Sequence, residues 1–558
     1  MSNLTFTYDD ANQLLSETQN IVASGMGAKV VAYTYDADGN RASLTSPDAS
    51  VTGYTYTARN QVHEITDGTP PPLARFTYDL AGRRLTKQLE LDAAGVGATN
   101  TAYTYNPAGH LTRLWHKRAD GANLLQSNYT VSGFDAVQTS MNWVQPGVTW
   151  TDTATYDGIL QLTGGGLTSS TGATGAQHHY TYDEVGNRLT VNDPAASPTA
   201  PTQRQQTALP ANNLNQYSQI LQSSPNGPVT LSYTHDTNGN LATGPAAWDQ
   251  SGGTGSLASW TYTYDAQNRL TQAVSPASGV TVLLGYDARN RCVSRTVNGA
   301  ATYLLYDAWN VLEDRAADGS LVARYVHGPN VDELLCKTTA GGTVYYHEDR
   351  LGSIVALTNA SGAVVERYAY TGFGQSEIRN ATGALLAESG HGNRFRYTGR
   401  EWVPVLGLYD YRNRYYSVSL ARFLGADPIG FGASDANLYR YVKNNPSDRT
   451  DPYGLFLTGC TRTDPCPALR SAYKTKCDTF KASAKVTIGL TDRIEAIRKE
   501  VSEGKMTREE ARVLILPLMN QYRAAIEVST RDLIEVGKAA IDLDRAKCDY
   551  ESCDPRAL

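Results

Sequence analysis

Side chains able to do chemistry are few and scattered. The 558 residues hold nine histidines and seven cysteines. His347, Glu348 and Asp349 are consecutive, and on a strand neighbouring side chains alternate faces, so the three cannot jointly ligate one ion. His178 and His179 read the same way. Asp-Pro dipeptides begin at Asp193, Asp427, Asp451, Asp464 and Asp554, and by itself the dipeptide means only a turn. Residues 456–558 contain no histidine, which excludes H-N-H-type nuclease and His-dependent ribonuclease chemistry there. They also lack any C-x-x-C pair, which excludes a zinc deaminase. Asp542 with Asp544, and Glu509 with Glu510, read as solvated helix faces rather than ligands. No metal site and no cofactor is expected.

What would position such residues is a repeat. Tyr is the composition's outlier, 35 against 9 Phe and 7 Trp. One motif recurs: YTYDADGNRASL from Tyr33, FTYDLAGRRLT from Phe76, YTYNPAGHLTRL from Tyr103, YTYDEVGNRLT from Tyr180 and YTYDAQNRLTQ from Tyr262. Its second tyrosine returns mostly every 20 to 29 residues, in the period range of repeat architectures. In Tyr33-Thr34-Tyr35 the rings alternate with a polar residue, which on a strand places both on one face. Gly39-Asn40 then supplies turn formers that tolerate positive φ, followed by a second alternation through Leu44. Each copy is therefore expected to be a β-hairpin. A lone hairpin cannot bury its face, so copies should stack into a long curving sheet with a tyrosine ladder.

The chain changes character near Leu455. Residues 456–558 hold 3 of the 35 Tyr, 4 of the 49 Gly and 5 of the 7 Cys. There LTDRIEAIRKEV, with Leu490, Ile494, Ile497 and Val501 at steps of four, three and four, predicts an amphipathic helix. Thr507-Arg508-Glu509-Glu510 is a capping-box pattern that starts a second, with Pro517 a kink or break. The tail is expected to be a small helical hairpin whose ends would bring Cys460 and Cys548 near each other. Disulfides, free thiols and zinc all stay open for its cysteines.

With 49 Lys plus Arg against 55 Asp plus Glu, the net charge of -6 lacks the basic excess that sequence-independent nucleic-acid binding needs. The longest apolar run, 513–519, is too short to span a bilayer, so no transmembrane segment is expected. The start, MSNLTFTYDD, has neither a basic nor an apolar region, so no cleavable signal peptide is expected; it already lies within a repeat, the expectation for part of a larger shell.

The repeats resemble the YD (Rhs) repeats of bacterial polymorphic toxins over nearly all of residues 1–455. From Tyr346 a second set of blocks resembles the Rhs-associated core: YHEDRLGSIVALTNASGAVVERYAYTGFGQ, RFRYTGREWVPVLGLYDYRNRYY from Arg394, and a block ending in DPYGL. The resemblance implies a mainly β fold, with YD-repeat hairpins in a spiralling, shell-forming sheet followed by a small α-helical tail. It divides the chain into a shell, expected to be partial, at 1–340, a core with a self-cleavage signature at 341–455, and a variable C-terminal region at 456–558.

The resemblance also implies a reaction. The family's D-P-x-G-L signature is matched by Asp451, Pro452, Tyr453, Gly454 and Leu455, and the family cuts itself after that leucine, so the implied scissile bond joins Leu455 to Phe456. This is the bond at which composition changes. Asp427 and Asp451 are the implied aspartic-type dyad, one as base and one as acid, and Arg414, in RNRYY, is the implied supporting residue. The function implied is that of an Rhs-type toxin, secreted or delivered to the cell surface by a dedicated bacterial secretion system. Its shell would encapsulate its own C-terminal tail as cargo and release it by autoproteolysis, and its partners would be a secretion apparatus and a cognate immunity protein. The alternative is a cell-surface carbohydrate-binding or adhesion protein with an intact chain.

Overall fold

The computed structural model describes residues 2–455, apart from 23–24, 69, 133–136, 146–147, 172–173, 195–202, 209, 223–227, 246–258 and 434, together with 458–459 and a few positions between 496 and 514. The chain divides into two compact units, Met1–Arg462 and Thr463–Leu558. The helical hairpin and the cysteine pairing expected in the tail lie outside the described residues, save that Ala496, Lys499, Glu500 and Leu514 are helical. No helix among the described residues is long and apolar enough to cross a membrane.

The first unit is built from hairpins, and one copy explains the rest. Between Lys29–Tyr35 and Arg41–Thr45, Tyr33 pairs with Leu44 and Thr34 with Ser43, and the register then shifts so that Tyr35 meets Arg41. The same shift precedes Tyr56, Tyr78, Tyr182 and Tyr264. An extra residue at this point bends the strand and increases its twist. The aspartate closes the turn. Asp36 Oδ1 accepts the N–H of Asp38 at 3.0 Å and of Asn40 at 2.8 Å, while Gly39, at φ +81°, donates to the Asp36 carbonyl at 3.1 Å. Glycine takes that backbone region at little steric cost, which is why the motif carries it there.

The two tyrosines of the motif do different work. Tyr33 is buried in the core, whereas the half-buried Tyr35 donates its hydroxyl to the Leu14 carbonyl of the preceding repeat at 2.9 Å. Tyr56, Tyr78, Tyr105, Tyr182, Tyr264 and Tyr286 reach back in the same way to Arg41, Val62, Arg84, Leu162, Leu241 and Leu270, at 2.6 to 3.0 Å. The expected ladder is therefore held by hydroxyl-to-carbonyl bonds from one repeat to the one before it.

The hairpins join into a 19-stranded antiparallel sheet ending at Val229–Ser232 and a 15-stranded one over Thr234–Leu386, each strand paired with its neighbour in sequence. The second sheet runs in step with the first. Arg291 pairs with Glu17, Asp307 with Arg41, Arg324 with Asp67 and Glu333 with Arg84, and Arg367 donates to the Leu124 carbonyl. Through this series the sequence separation stays between 243 and 274 residues. Two sheets paired hairpin by hairpin in this way are successive turns of one spiral.

Residues 387–455 leave the wall. Four short strands, Glu401–Val403, Leu408–Asp410, Tyr415–Ser417 and Arg422–Phe423, form a small sheet. On it Tyr397, Trp402, Tyr409, Tyr411, Tyr416, Phe423 and Tyr441 pack as one buried aromatic cluster. This plug docks on the turns of the wall. Arg422 donates to Asn187 Oδ1 and to the Asn215 carbonyl, both at 2.7 Å, Asn444 to Gln161 and to the Gly186 carbonyl, both at 2.8 Å, and Tyr439 to the Gly239 carbonyl at 2.7 Å.

Candidate functional site

Both aspartates singled out from the sequence sit in turns built like those of the repeats. In Asp451-Pro452-Tyr453-Gly454-Leu455, Gly454 donates to the Asp451 carbonyl at 3.3 Å and Leu455 N–H donates to Asp451 Oδ1 at 3.0 Å. Positions i+3 and i+4 bond as Gly39 and Asn40 do to Asp36, and Gly454 has φ +64°. The signature is thus a repeat turn with proline in its second place. In Asp427-Pro428-Ile429-Gly430, Ile429 N–H donates to Asp427 Oδ1 at 3.0 Å and Gly430 to the Asp427 carbonyl at 2.9 Å. Capping uses one carboxylate oxygen of each aspartate and leaves the other to point elsewhere.

Those second oxygens meet on one nitrogen. Arg414 Nη2 lies 2.9 Å from Asp427 Oδ2 and 3.3 Å from Asp451 Oδ2. The guanidinium is fixed on its other edges: Nε donates to the Gly454 carbonyl at 2.6 Å, Nη1 donates to the Leu438 carbonyl at 3.0 Å, and its face lies 3.7 Å from the Phe423 ring centre. All three side chains are buried, Arg414 at 8%, Asp427 at 9% and Asp451 at 3% exposed. Burial pushes the Asp427 carboxyl up to about 6, against the pull of Arg414, with the charge of Asp451 adding to the rise. Burial also lowers Arg414 from its usual value.

Residues 451–455, which end at the implied scissile bond, lie just after the short strand Arg449–Thr450. Arg449 pairs with Gly459 and Thr450 with Thr458 in an antiparallel ladder. Leu455 is buried, and a Cβ on Gly454 would stand 2.7 Å from the Tyr411 carbonyl oxygen. Phe456 lies outside the described residues. Pro452 and Tyr453, on the near side, accept hydrogen bonds through their carbonyls from Arg412 and Asn413, two residues that sequence reasoning did not single out. Their signal is adjacency, since they complete the R-N-R string that supplies Arg414.

His347 is buried and shares a hydrogen bond of 2.9 Å with Thr358 Oγ1, and no group of three or more His, Cys, Asp or Glu able to hold a metal ion occurs among the described residues. The buried Cys292 and Cys336 are free thiols.

A tyrosine-tied spiral of β-hairpins closed on a plug of this kind defines the class: a YD-repeat shell. Comparison with known proteins agrees. Residues 1–124 match the family model described as Teneurin YD-shell. The tRNA3(Ser)-specific nuclease WapA of Bacillus spizizenii is 29% identical over 298 residues, 52% of this chain and 11% of that protein. The toxin protein Tse5 of Pseudomonas aeruginosa is 24% identical over 511 residues, 78% of this chain and 37% of that protein. The crystal structure of TcdB2-TccC3 superposes with a TM-score of 0.56 at 18% identity, covering 80% of this chain and 24% of that one. The chain is a YD-repeat shell protein similar to these relatives, and it spans well under half their length.

Proposed function

We propose that this chain is the enclosing and releasing part of an Rhs-type bacterial toxin. The spiral wall holds residues 456–558 as cargo, and Asp427 with Asp451 severs the bond between Leu455 and Phe456 to free them. The observation that carries this reading is the meeting of two buried carboxylates on Arg414 Nη2, one of them also holding the Leu455 amide. The relatives support the delivery half. One bears the name of a tRNA nuclease and another that of a toxin, while TcdB2-TccC3 has also been solved without a hypervariable C-terminal region. A common shell with an exchangeable passenger accounts for such a set. Delivery out of the producing cell and a neutralising partner for the passenger belong to the same proposal.

Hydrolysis without a metal or a nucleophilic side chain needs an activated water and a proton for the leaving nitrogen. Asp427, protonated below about pH 6 because it is buried, is the acid, and Asp451 is the base. Water adds to the Leu455 carbonyl carbon as Asp451 takes its proton. The bond to Phe456 nitrogen then breaks as Asp427 gives up its own, leaving a carboxyl group on Leu455 and an amine on Phe456. Arg414 offsets the charge that builds in between.

Intact mass of the purified 60.5 kDa chain should show a second species of about 11 kDa beginning at Phe456. Asp427→Asn and Asp451→Asn should each give one full-length species; splitting in either variant removes that aspartate from the reaction.

A further inference from the structure

Three consecutive carbonyls ahead of the cut are held by three consecutive side chains. Arg412 Nη1 donates to Pro452 O at 2.7 Å, Asn413 Nδ2 to Tyr453 O at 3.0 Å, and Arg414 Nε to Gly454 O at 2.6 Å. On an extended strand the middle side chain would point away from its neighbours. Arg412, at φ +69°, breaks that alternation, and a non-glycine residue in this region is held there only by surrounding contacts. Those contacts are present. Asp332 receives Arg412 Nη2 at 2.6 Å and Arg400 Nη1 at 2.8 Å, and Asp410 Oδ1 accepts the Arg412 N–H at 2.7 Å. Asn413 is fixed from the wall, its Oδ1 accepting from Asn290 Nδ2 at 2.8 Å.

We propose that Arg412 and Asn413 are positioning residues for the cut. They grip the loop by its backbone rather than its side chains, and Asp332 sets the angle of Arg412. This rests on the reading that the chain severs itself after Leu455. On that reading the clamp selects a conformation: any residue that lets 452–454 follow the same path is accepted at 452 and 453, whereas 454 has to be glycine.

Asn413→Asp is the sharp test, because it keeps the acceptor for Asn290 and removes the side-chain donor for Tyr453, leaving only the longer 3.4 Å bond from the Asn413 backbone N–H. In cell-free synthesis followed by a chase at neutral pH, Asn413→Asp, Asn413→Ala and Arg412→Ala should each split at least about 10-fold more slowly than wild type, since small misplacements of reacting atoms cost up to about 100-fold. The uncut Asp and Ala proteins at position 413 are then purified and followed from pH 7 to pH 3.5, across the ordinary aspartate value of about 3.9. A protonated carboxyl regains an O–H donor, so Asn413→Asp should speed up about 10-fold relative to Asn413→Ala as pH falls. A purely structural role would not separate the two. Splitting of all three variants at the wild-type rate, or an Asp-to-Ala ratio flat across pH, overturns the clamp while leaving self-cleavage standing. A wild-type chain that stays whole overturns the cleavage reading, and the clamp with it.

Discussion

Asp427 is a buried carboxyl whose proton is lost near pH 6 rather than near its ordinary 3.8, and that difference sets two signs. For stability, a raised folded value favours the folded state fully below about pH 3.8, and the contribution is lost as pH rises through about 6. For the proposed reaction, an acid must hold its proton, so the splitting rate should fall as pH rises through about 6. A time course of intact mass between pH 5 and 8 checks this, and a rate that climbs over that interval would reassign Asp427 as the base. Gly454→Ala should both slow the cut and destabilise the plug by about 1 to 3 kcal/mol, because the left-handed backbone and the nearby Tyr411 carbonyl each oppose a methyl group. The sequence supplied the two aspartates and Arg414 only through resemblance. Twenty-four residues separate the acids, and nothing in their spacing says that both reach one guanidinium. Arg412 and Asn413 escaped notice because a bond to a backbone carbonyl leaves no mark on the residue that accepts it.

At the scale of the hairpin almost everything was legible, since the forces are local. Asp36 caps bonds two and four residues ahead, Gly39 occupies the positive-φ corner, and the alternation through Leu44 follows from strand period. The division of labour between Tyr33 and Tyr35 was not, because identical side chains two apart read alike until the register shift turns one toward the neighbouring repeat. Removing one hydroxyl isolates its contribution. Tyr78→Phe loses the 2.7 Å bond to the Val62 carbonyl and should lower unfolding stability by about 1 kcal/mol in urea titration. The same substitution at Tyr8, in the first copy of the motif and 55% exposed, should have a smaller effect.

Across the whole first unit, consecutive turns of the spiral are fastened by buried charge. Glu333 receives Arg84 at 2.6 Å and Lys87 at 3.3 Å, and neither Glu333 nor Lys87 is exposed. Lys87 misleads a reader of the sequence, since it occupies the inward face of Arg84–Leu91 while Leu85 is 38% exposed. Its partner lies 246 residues away. Glu333→Ala should strand the buried Arg84 and leave Lys87 only Glu348, 3.7 Å away, and cost about 3 to 5 kcal/mol, read as an earlier onset of unfolding and faster proteolysis of the wall. A wall that melts as before would mean that water reaches the site.

The docking of residues 387–455 on the turns at Gln161, Gly186, Asn187, Asn215, Gly239 and Asn290 has a numerical consequence. The anchors fall in five different hairpins, Gly186 and Asn187 sharing one turn, and the rigid block that grips them has fixed distances between its own polar groups. It therefore works as a gauge: excision of a single hairpin between the first anchor and the last would leave every later hook one rung out of place. Variation in the tally of hairpins along this stretch is closed to the chain, and lengthening or shortening has to happen elsewhere.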